Sequence, residues 1–173
     1  MRARDYWKAV TVDRSGFLDS FLARLHKSGA KYCVVGGQAV NAYVDPVVSL
    51  DLDIVVTVGD RERLITALTP HYQIEEFPHS VNLSDPGSDL RVQIQTDPRY
   101  LAFIDHALTR DVLGIPLRVA RPEDVLQGKI WAASDETRRG SKRQKDLADI
   151  ARLLETYPEF RPLVPESLQR RLL

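Results

Sequence analysis

KYCVVGGQAVNAYVDPVVSLDLDIVV, residues 31–56, sets out a strand, a glycine pair, a short helix and a second strand in one run. Tyr32 to Val35 are apolar and partly β-branched, which predicts a buried strand. Gly36 and Gly37 end it; lacking Cβ atoms, they permit a sharp turn whose backbone N–H groups approach a ligand closely. Gln38 to Tyr43 reads as a short helix, and Asp45-Pro46 stops it because the residue before proline is pushed out of helical geometry. In Leu50 to Thr57, strand alternation places Asp51 and Asp53 on one face and Leu52 and Ile54 on the other.

Two carboxylates at i and i+2 of a strand lie roughly 7 Å apart at Cα. With the charges about 5 Å apart and an effective dielectric near 20, their repulsion is on the order of 3 kcal/mol. A hard divalent ion relieves it. Oxygen ligation without a nearby Cys or His favours Mg²⁺ or Mn²⁺ over Zn²⁺.

The chain of 173 residues suits one well-packed domain with a helical appendage. Its 24 basic and 24 acidic residues cancel, so no overall field draws it to nucleic acid or an anionic membrane, and any such attraction is local. Cys33, the single cysteine, lies inside the apolar strand and forms no internal disulfide, in keeping with a reducing cytoplasm. No run reaches transmembrane length, and MRARDYWKAV at the start lacks the apolar core of a signal peptide.

Ahead of the central stretch, Phe17, Leu18, Phe21, Leu22 and Leu25 form one helical stripe within Ser15 to Lys27, with Gly29 as C-cap. After it, Gly59-Asp60 offers a cap for a helix with Leu64, Ile65 and Leu68 inward, closed by Pro70. Short strands come next at Tyr72 to Glu76, Ser80 to Leu83 and Leu90 to Thr96, the last two joined by the turn Asp85-Pro86-Gly87. Asp97-Pro98 is read as capping a helix through Phe103, Ile104 and Leu108, with a hairpin around Gly114 beyond it. Pro122 opens a helix to about Ser134 with Lys129 beside its apolar stripe. Ser141 is read as the cap of another, with Leu147, Ile150, Ala151 and Leu154 inward and a short helix expected from Glu166. The fold class is therefore α/β (α+β), a mixed sheet flanked by helices, with an α/β core over residues 1–120 and a helical region over 121–173 packed on it.

In its order of strand, Gly-Gly, helix and Asp-hydrophobic-Asp, with thirteen residues between Gly37 and Asp51, the chain resembles the nucleotidyltransferase superfamily. Within it, the chain looks most like the small bacterial members that include the AbiE-type toxins. The resemblance implies transfer of a nucleoside monophosphate from a nucleoside triphosphate to a hydroxyl of RNA, protein or a small molecule, with pyrophosphate leaving. It assigns Asp51 and Asp53 to the metal, and Gly36, Gly37 and Ser49 to the phosphates. It also extends to a helical Lys and a later basic-x-Lys-Asp run, here Lys129, then Arg143, Lys145 and Asp146. Lys129 and Asp146 join the catalytic set, and Lys129, Arg143 and Lys145 the phosphate-binding set. An antitoxin partner is implied as well.

Two positions depart from that pattern. Small relatives often carry Arg-x-Thr ahead of Asp-x-Asp, where this chain has Val47 and Ser49. A third carboxylate usually stands on a neighbouring strand; here the polar face of Leu90 to Thr96 offers Gln93 and Gln95, with Asp89 and Asp97 at its ends. Three readings therefore stand side by side: an active metal-dependent nucleotidyltransferase, a degenerate member that binds nucleotide or a partner without turnover, and an interaction module. An acid within metal reach of Asp51 and Asp53 favours the first; glutamine alone favours the second. His26, His71, His79 and His106 lack metal-ligand spacing, and Trp7 and Trp131 are read as packing residues.

Overall fold

The computed structural model describes Asp5, residues 12–112 and residues 114–172. Trp7 lies outside the described residues. Helix α1 (Phe17–Ser28) buries Phe17, Leu18, Phe21, Leu22 and Leu25, the stripe its spacing predicts. Its start is held by Asp13, whose carboxylate accepts from the N–H groups of Phe17 at 2.9 Å and Leu18 at 3.2 Å. Gly29 closes it with a φ of 66°, a left-handed conformation that glycine adopts without steric cost.

The central stretch folds into β1 (Tyr32–Val35), α2 (Gly36–Asn41) and β2 (Asp51–Val56). One expectation is corrected here. The glycine pair is not a turn ahead of the helix but the helix's first two residues, so α2 springs directly from β1. Helix α3 (Val58–Leu68) comes after β2, buries Leu64 and Leu68, and starts just ahead of Gly59. Asp60 serves its entry by accepting from Thr57 Oγ1 at 2.7 Å and from the Lys31 N–H at 2.9 Å.

Strands β3 (Gln73–Phe77), β4 (Ser80–Ser84) and β5 (Arg91–Gln95) form the expected antiparallel run. Asp97 does act as a cap, accepting from the Arg99 N–H, but the element it caps is a 3₁₀ turn over Pro98–Phe103. Leu108 is not part of that turn: it begins β6 (Leu108–Val112), which pairs with β7 (Ile115–Val119) in the expected hairpin. Helix α4 (Pro122–Ser134) starts at its proline as predicted. Helix α5 (Gly140–Thr156) starts one residue before Ser141, which therefore does not cap it; Arg139 occupies the cap position without a side-chain bond. A second 3₁₀ turn (Pro158–Leu163) and α6 (Glu166–Gln169) complete the chain's described elements.

The strands make one mixed sheet in the order β3-β4-β5-β2-β1-β7-β6, with β2 parallel to β5 and β1 parallel to β7. Leu52, Ile54, Val92, Ile94, Val81 and Leu83 are buried on one face. The other face carries Asp51, Asp53, Arg91, Gln93, Gln95 and Asn82, side by side across β2, β5 and β4 by strand register. Helix α2 packs on β2, and α4 packs against both α2 and α5. This closes a cleft over the polar face, while the apolar sides of α4 and α5 join the same core as the sheet.

Candidate active site

The antiparallel register pairs Val35 with Asp53, so the residue after Val35, Gly36, lies against the Asp53 side chain. A Cβ on Gly36 would stand 2.1 Å from Asp53 Oδ2 and 2.9 Å from its Cγ, and Gly36 has a φ of +69°. Both facts demand glycine there. Gly37 is less constrained, since its Cβ would meet only Ser49, with Oγ at 3.4 Å. The glycine pair and the Asp-x-Asp pair are thus one device: Gly36 makes the room that the Asp53 carboxylate fills.

Burial pushes the Asp53 carboxyl up to about 6, and the neighbouring Asp51 charge adds to the effect, while Lys129, Arg138 and Lys145 pull the other way. Asp51 points to the rim, where Arg91 from the adjacent strand holds it with Nε 2.9 Å from Oδ1. Gln93 is the residue beside Asp53 on β5. Asp97 is gripped by Arg99, whose hydrogen bonds hold its carboxyl below the ordinary range, and Asp89 is exposed ahead of β5. Among the described residues no group of three His, Cys, Asp or Glu side chains is placed to hold a metal, so neither Asp89 nor Asp97 supplies a third acid beside Asp51 and Asp53.

Lys129 is 7% exposed, with Nζ 3.0 Å from Asp146 Oδ1 and 2.7 Å from Asp149 Oδ2. Burial opposes its charge, but the carboxylates of Asp149 and Asp146 outweigh that and hold its pKa above the ordinary lysine range. Arg138 Nε binds Asp146 Oδ2 at 2.8 Å, and Arg152 Nη1 binds Asp149 Oδ1 at 2.8 Å. Arg152 also reaches Asn41 Oδ1 at 3.1 Å, and Asn41 is bonded in turn to both the N–H and the carbonyl of Val47. This network ties α4 and α5 to the end of α2 and to the loop before β2.

Gly36, Asp53, Lys129, Asp146 and Arg138 line one cleft, together with Gln93. Asp51 is not among the lining residues; it pairs with Arg91 on the same face of the sheet. Ser49 is buried beneath Gly37, its carbonyl accepting from Gln38 Nε2 at 3.1 Å, and is not among the residues of the lining. Arg143 is half-buried and Lys145 exposed; neither lines the cleft, although Lys145 acts on Asp53 through its charge. The sequence reading passes over Asp149 and Asp124. Asp149 lies one turn after Asp146 beside the apolar stripe of α5, and its burial there is what makes a cation necessary. Asp124, buried in the cleft wall with Arg121 Nε at 3.0 Å and His106 Nδ1 at 3.5 Å, reads in sequence as an ordinary acid of a first helical turn.

The donor set suits a magnesium ion. Mg²⁺ is commonly held by one or two carboxylates, with substrate phosphates and water completing its shell. Asp51 and Asp53, on one face of β2, would supply those carboxylates, and burial first and the Asp51 charge second raise the Asp53 pKa.

The antibiotic-resistance factor ANT(2'')-Ia shares this fold with a TM-score of 0.63 at 13% identity, over 89% of this chain and 90% of that one. A crystal structure of ANT(2'')-Ia in complex with adenylyl-2''-tobramycin gives 0.62 at 13% identity, over 91% and 97%. The lincosamide antibiotic adenylyltransferase LnuA, lincomycin-bound, gives 0.56 at 14% identity, over 79% and 95%. No curated protein sequence matches the chain. No described helix is long and apolar enough to cross a membrane. The sequence model of the family described as nucleotidyl transferase AbiEii toxin, type IV TA system, matches residues 20–172, and the chain belongs to that family of nucleotidyltransferases.

Proposed function

We propose that the cleft binds a nucleoside triphosphate with Mg²⁺ and transfers its nucleoside monophosphate to a hydroxyl acceptor. The observation that carries this reading is the seating of the Asp53 carboxylate on Gly36, within one cleft shared with Lys129 and Arg138. Asp51 and Asp53 would hold the metal, which when bound neutralises charge on the triphosphate. The N–H groups at the start of α2 would meet phosphate oxygens, because glycine lets the ligand approach the backbone. Lys129 and Arg138 are the cations of the cleft lining and, once the metal offsets Asp51 and Asp53, would meet the phosphates, while Asp146 fixes both in place. Ser49 acts in this scheme by bracing the strand start, and Arg143 and Lys145 by steering the anion from the rim.

In the reaction, the acceptor oxygen bonds to the α-phosphorus as the bond to pyrophosphate breaks. Gln93 can orient the hydroxyl by accepting its hydrogen bond but is no base, so the proton leaves to solvent or to the substrate and turnover is slow. Family membership supports a toxin role with an antitoxin partner. The test is label transfer from each α-labelled nucleoside triphosphate to RNA, to protein and to small-molecule acceptors, with Mg²⁺ or Mn²⁺. Label that vanishes in Asp51→Ala/Asp53→Ala supports transfer and names the acceptor class. Metal-dependent nucleotide binding without label replaces it with the degenerate reading, which the position of Gln93 favours.

A further inference from the structure

A second cleft adjoins the first across Gln93, Tyr100 and Arg138, and its outer wall is Trp131 with Arg99. Phe103 lies parallel to Trp131 within 5°, centroids 5.6 Å apart, and Tyr100 meets the indole edge-on at 5.2 Å. The Arg99 guanidinium carbon stands 4.7 Å from the indole centroid. Phe103 faces the first cleft, whereas Trp131 and Arg99 face the second. Asp97 pins the guanidinium through Nε at 2.9 Å and Nη2 at 2.7 Å, and also accepts from the Arg99 backbone N–H at 3.0 Å. Even so, the Arg99 side chain is 55% exposed. A fixed planar cation laid over an indole offers solvent a flat surface, the kind on which a base stacks.

We infer that this second cleft is a nucleobase pocket with Arg99 and Trp131 as its stacking wall; the inference rests on the nucleotidyl-transfer reading above. Charge is not its means of recognition, because Arg99 is neutralised by Asp97 and Arg138 by Asp146. Flat-ring stacking is what remains, with Gln95 available for the base edge. Its Oε1 is taken by the N–H groups of Thr96 and Asp97, which leaves the amide N–H groups as donors. Gln93 belongs to both clefts and neighbours Asp53, so a base here lies in a cleft that adjoins the proposed reaction site. It belongs either to the incoming triphosphate or to a nucleoside that carries the acceptor hydroxyl.

The test uses the full chain carrying Trp7→Phe, so that Trp131 is the single tryptophan, with and without Arg99→Lys. Lysine keeps the charge for Asp97 but loses the plane. Trp131 fluorescence is titrated in Mg²⁺ with the four nucleoside triphosphates, with inorganic tripolyphosphate, and with nucleoside monophosphates and short oligonucleotides added to the tripolyphosphate-saturated protein. For an incoming base, Arg99→Lys weakens triphosphate binding about tenfold and leaves tripolyphosphate binding unchanged. For an acceptor base, triphosphate affinity is unchanged, and the monophosphates and oligonucleotides lose about tenfold. If Arg99→Lys alters neither while tripolyphosphate still binds, the base pocket is overturned. If tripolyphosphate fails to bind but base-dependent quenching through Arg99 persists, the pocket stands and the phosphate-site reading falls.

Discussion

Two pairs of carboxylates each send one member into the cleft, Asp53 and Asp146, and the pairs are kept in opposite ways. Asp146 and Asp149 are buried, and every charge is answered from within by Lys129, Arg138 and Arg152. Among the described residues, Asp51 and Asp53 have only Arg91 as an ion-pair partner, on an exposed side chain, and Asp53 is pushed toward neutrality on a seat of glycine. A pair completed by its own protein is architecture that also holds cations in position. A pair left unbalanced is, on the function proposed above, a place for a cation from outside. The same residue type thus does two jobs, and what separates them is the company each carboxylate keeps.

Breaking the closed pair has the largest expected effect. Lys129→Ala leaves two buried carboxylates short of a partner and costs about 3–5 kcal/mol of stability. Chemical denaturation measures it, and a loss under about 1 kcal/mol would show that water enters the cluster freely. Sharpening the open pair comes next. Gln93→Glu adds a third acid beside Asp53, and a positioned base contributes about 10²-fold or more in rate. Label transfer by this variant is expected to exceed wild type by that order in Mg²⁺, while its metal-free form is less stable; a slower enzyme would place the acceptor proton's exit elsewhere.

The open pair also predicts a pH dependence. The folded Asp53 pKa of about 6 lies above its ordinary value of 3.8, so the native state binds more protons than the unfolded chain between those limits. Stability from this group is therefore highest below about pH 4 and falls as pH rises through 6, by about 3 kcal/mol in all. The difference in unfolding free energy between wild type and Asp53→Asn across about pH 4 to 7 isolates that slope, and Mg²⁺ with nucleotide should flatten it. A pH-independent difference would refute the shift. Gly36→Ala ranks below this, at about 1–3 kcal/mol for the positive φ alone, and it also displaces Asp53 and suppresses metal-dependent nucleotide binding. Gly37→Ala, whose Cβ would meet Ser49 Oγ at 3.4 Å with no positive φ, is the near-neutral control for stability.

The contrast between the two pairs also marks what sequence can and cannot disclose. Strand β1, the Asp51/Asp53 strand, the β4–β5 turn and the proline start of α4 are local signals, each written in a few adjacent residues, and each appears where expected. The glycine pair is legible as a pair but not as part of α2, because its role depends on Asp53, which reaches it only through the β1–β2 register. Leu108 reads as the end of a helical stripe, and only its pairing with Val119 makes it the start of a strand. Lys129 and Asp146 are seventeen residues apart, so their ion pair is a fact of helix packing. The Arg99–Trp131 wall escapes a sequence reading for the same reason: nothing local distinguishes a stacked indole from an ordinary one.

Arg91 tests the comparison at its smallest energy. As an exposed pair with Asp51 it is worth no more than about 1 kcal/mol, so Arg91→Gln should hardly move the unfolding midpoint. Its effect on binding has a definite sign, however. Arg91 is the internal cation that touches the open pair, and a metal ion must compete with it for Asp51 Oδ1. Removing it should tighten Mn²⁺ binding to the nucleotide-free protein by a factor of about five, the equivalent of roughly 1 kcal/mol, as read by calorimetry or by the resonance signal of free Mn²⁺. A substitution that weakens an ion pair would then strengthen a metal site, which happens only if Asp51 belongs to the pair awaiting a cation from outside. Unchanged Mn²⁺ affinity would place Asp51 with the closed carboxylates and leave Asp53 as the sole acid of the open kind.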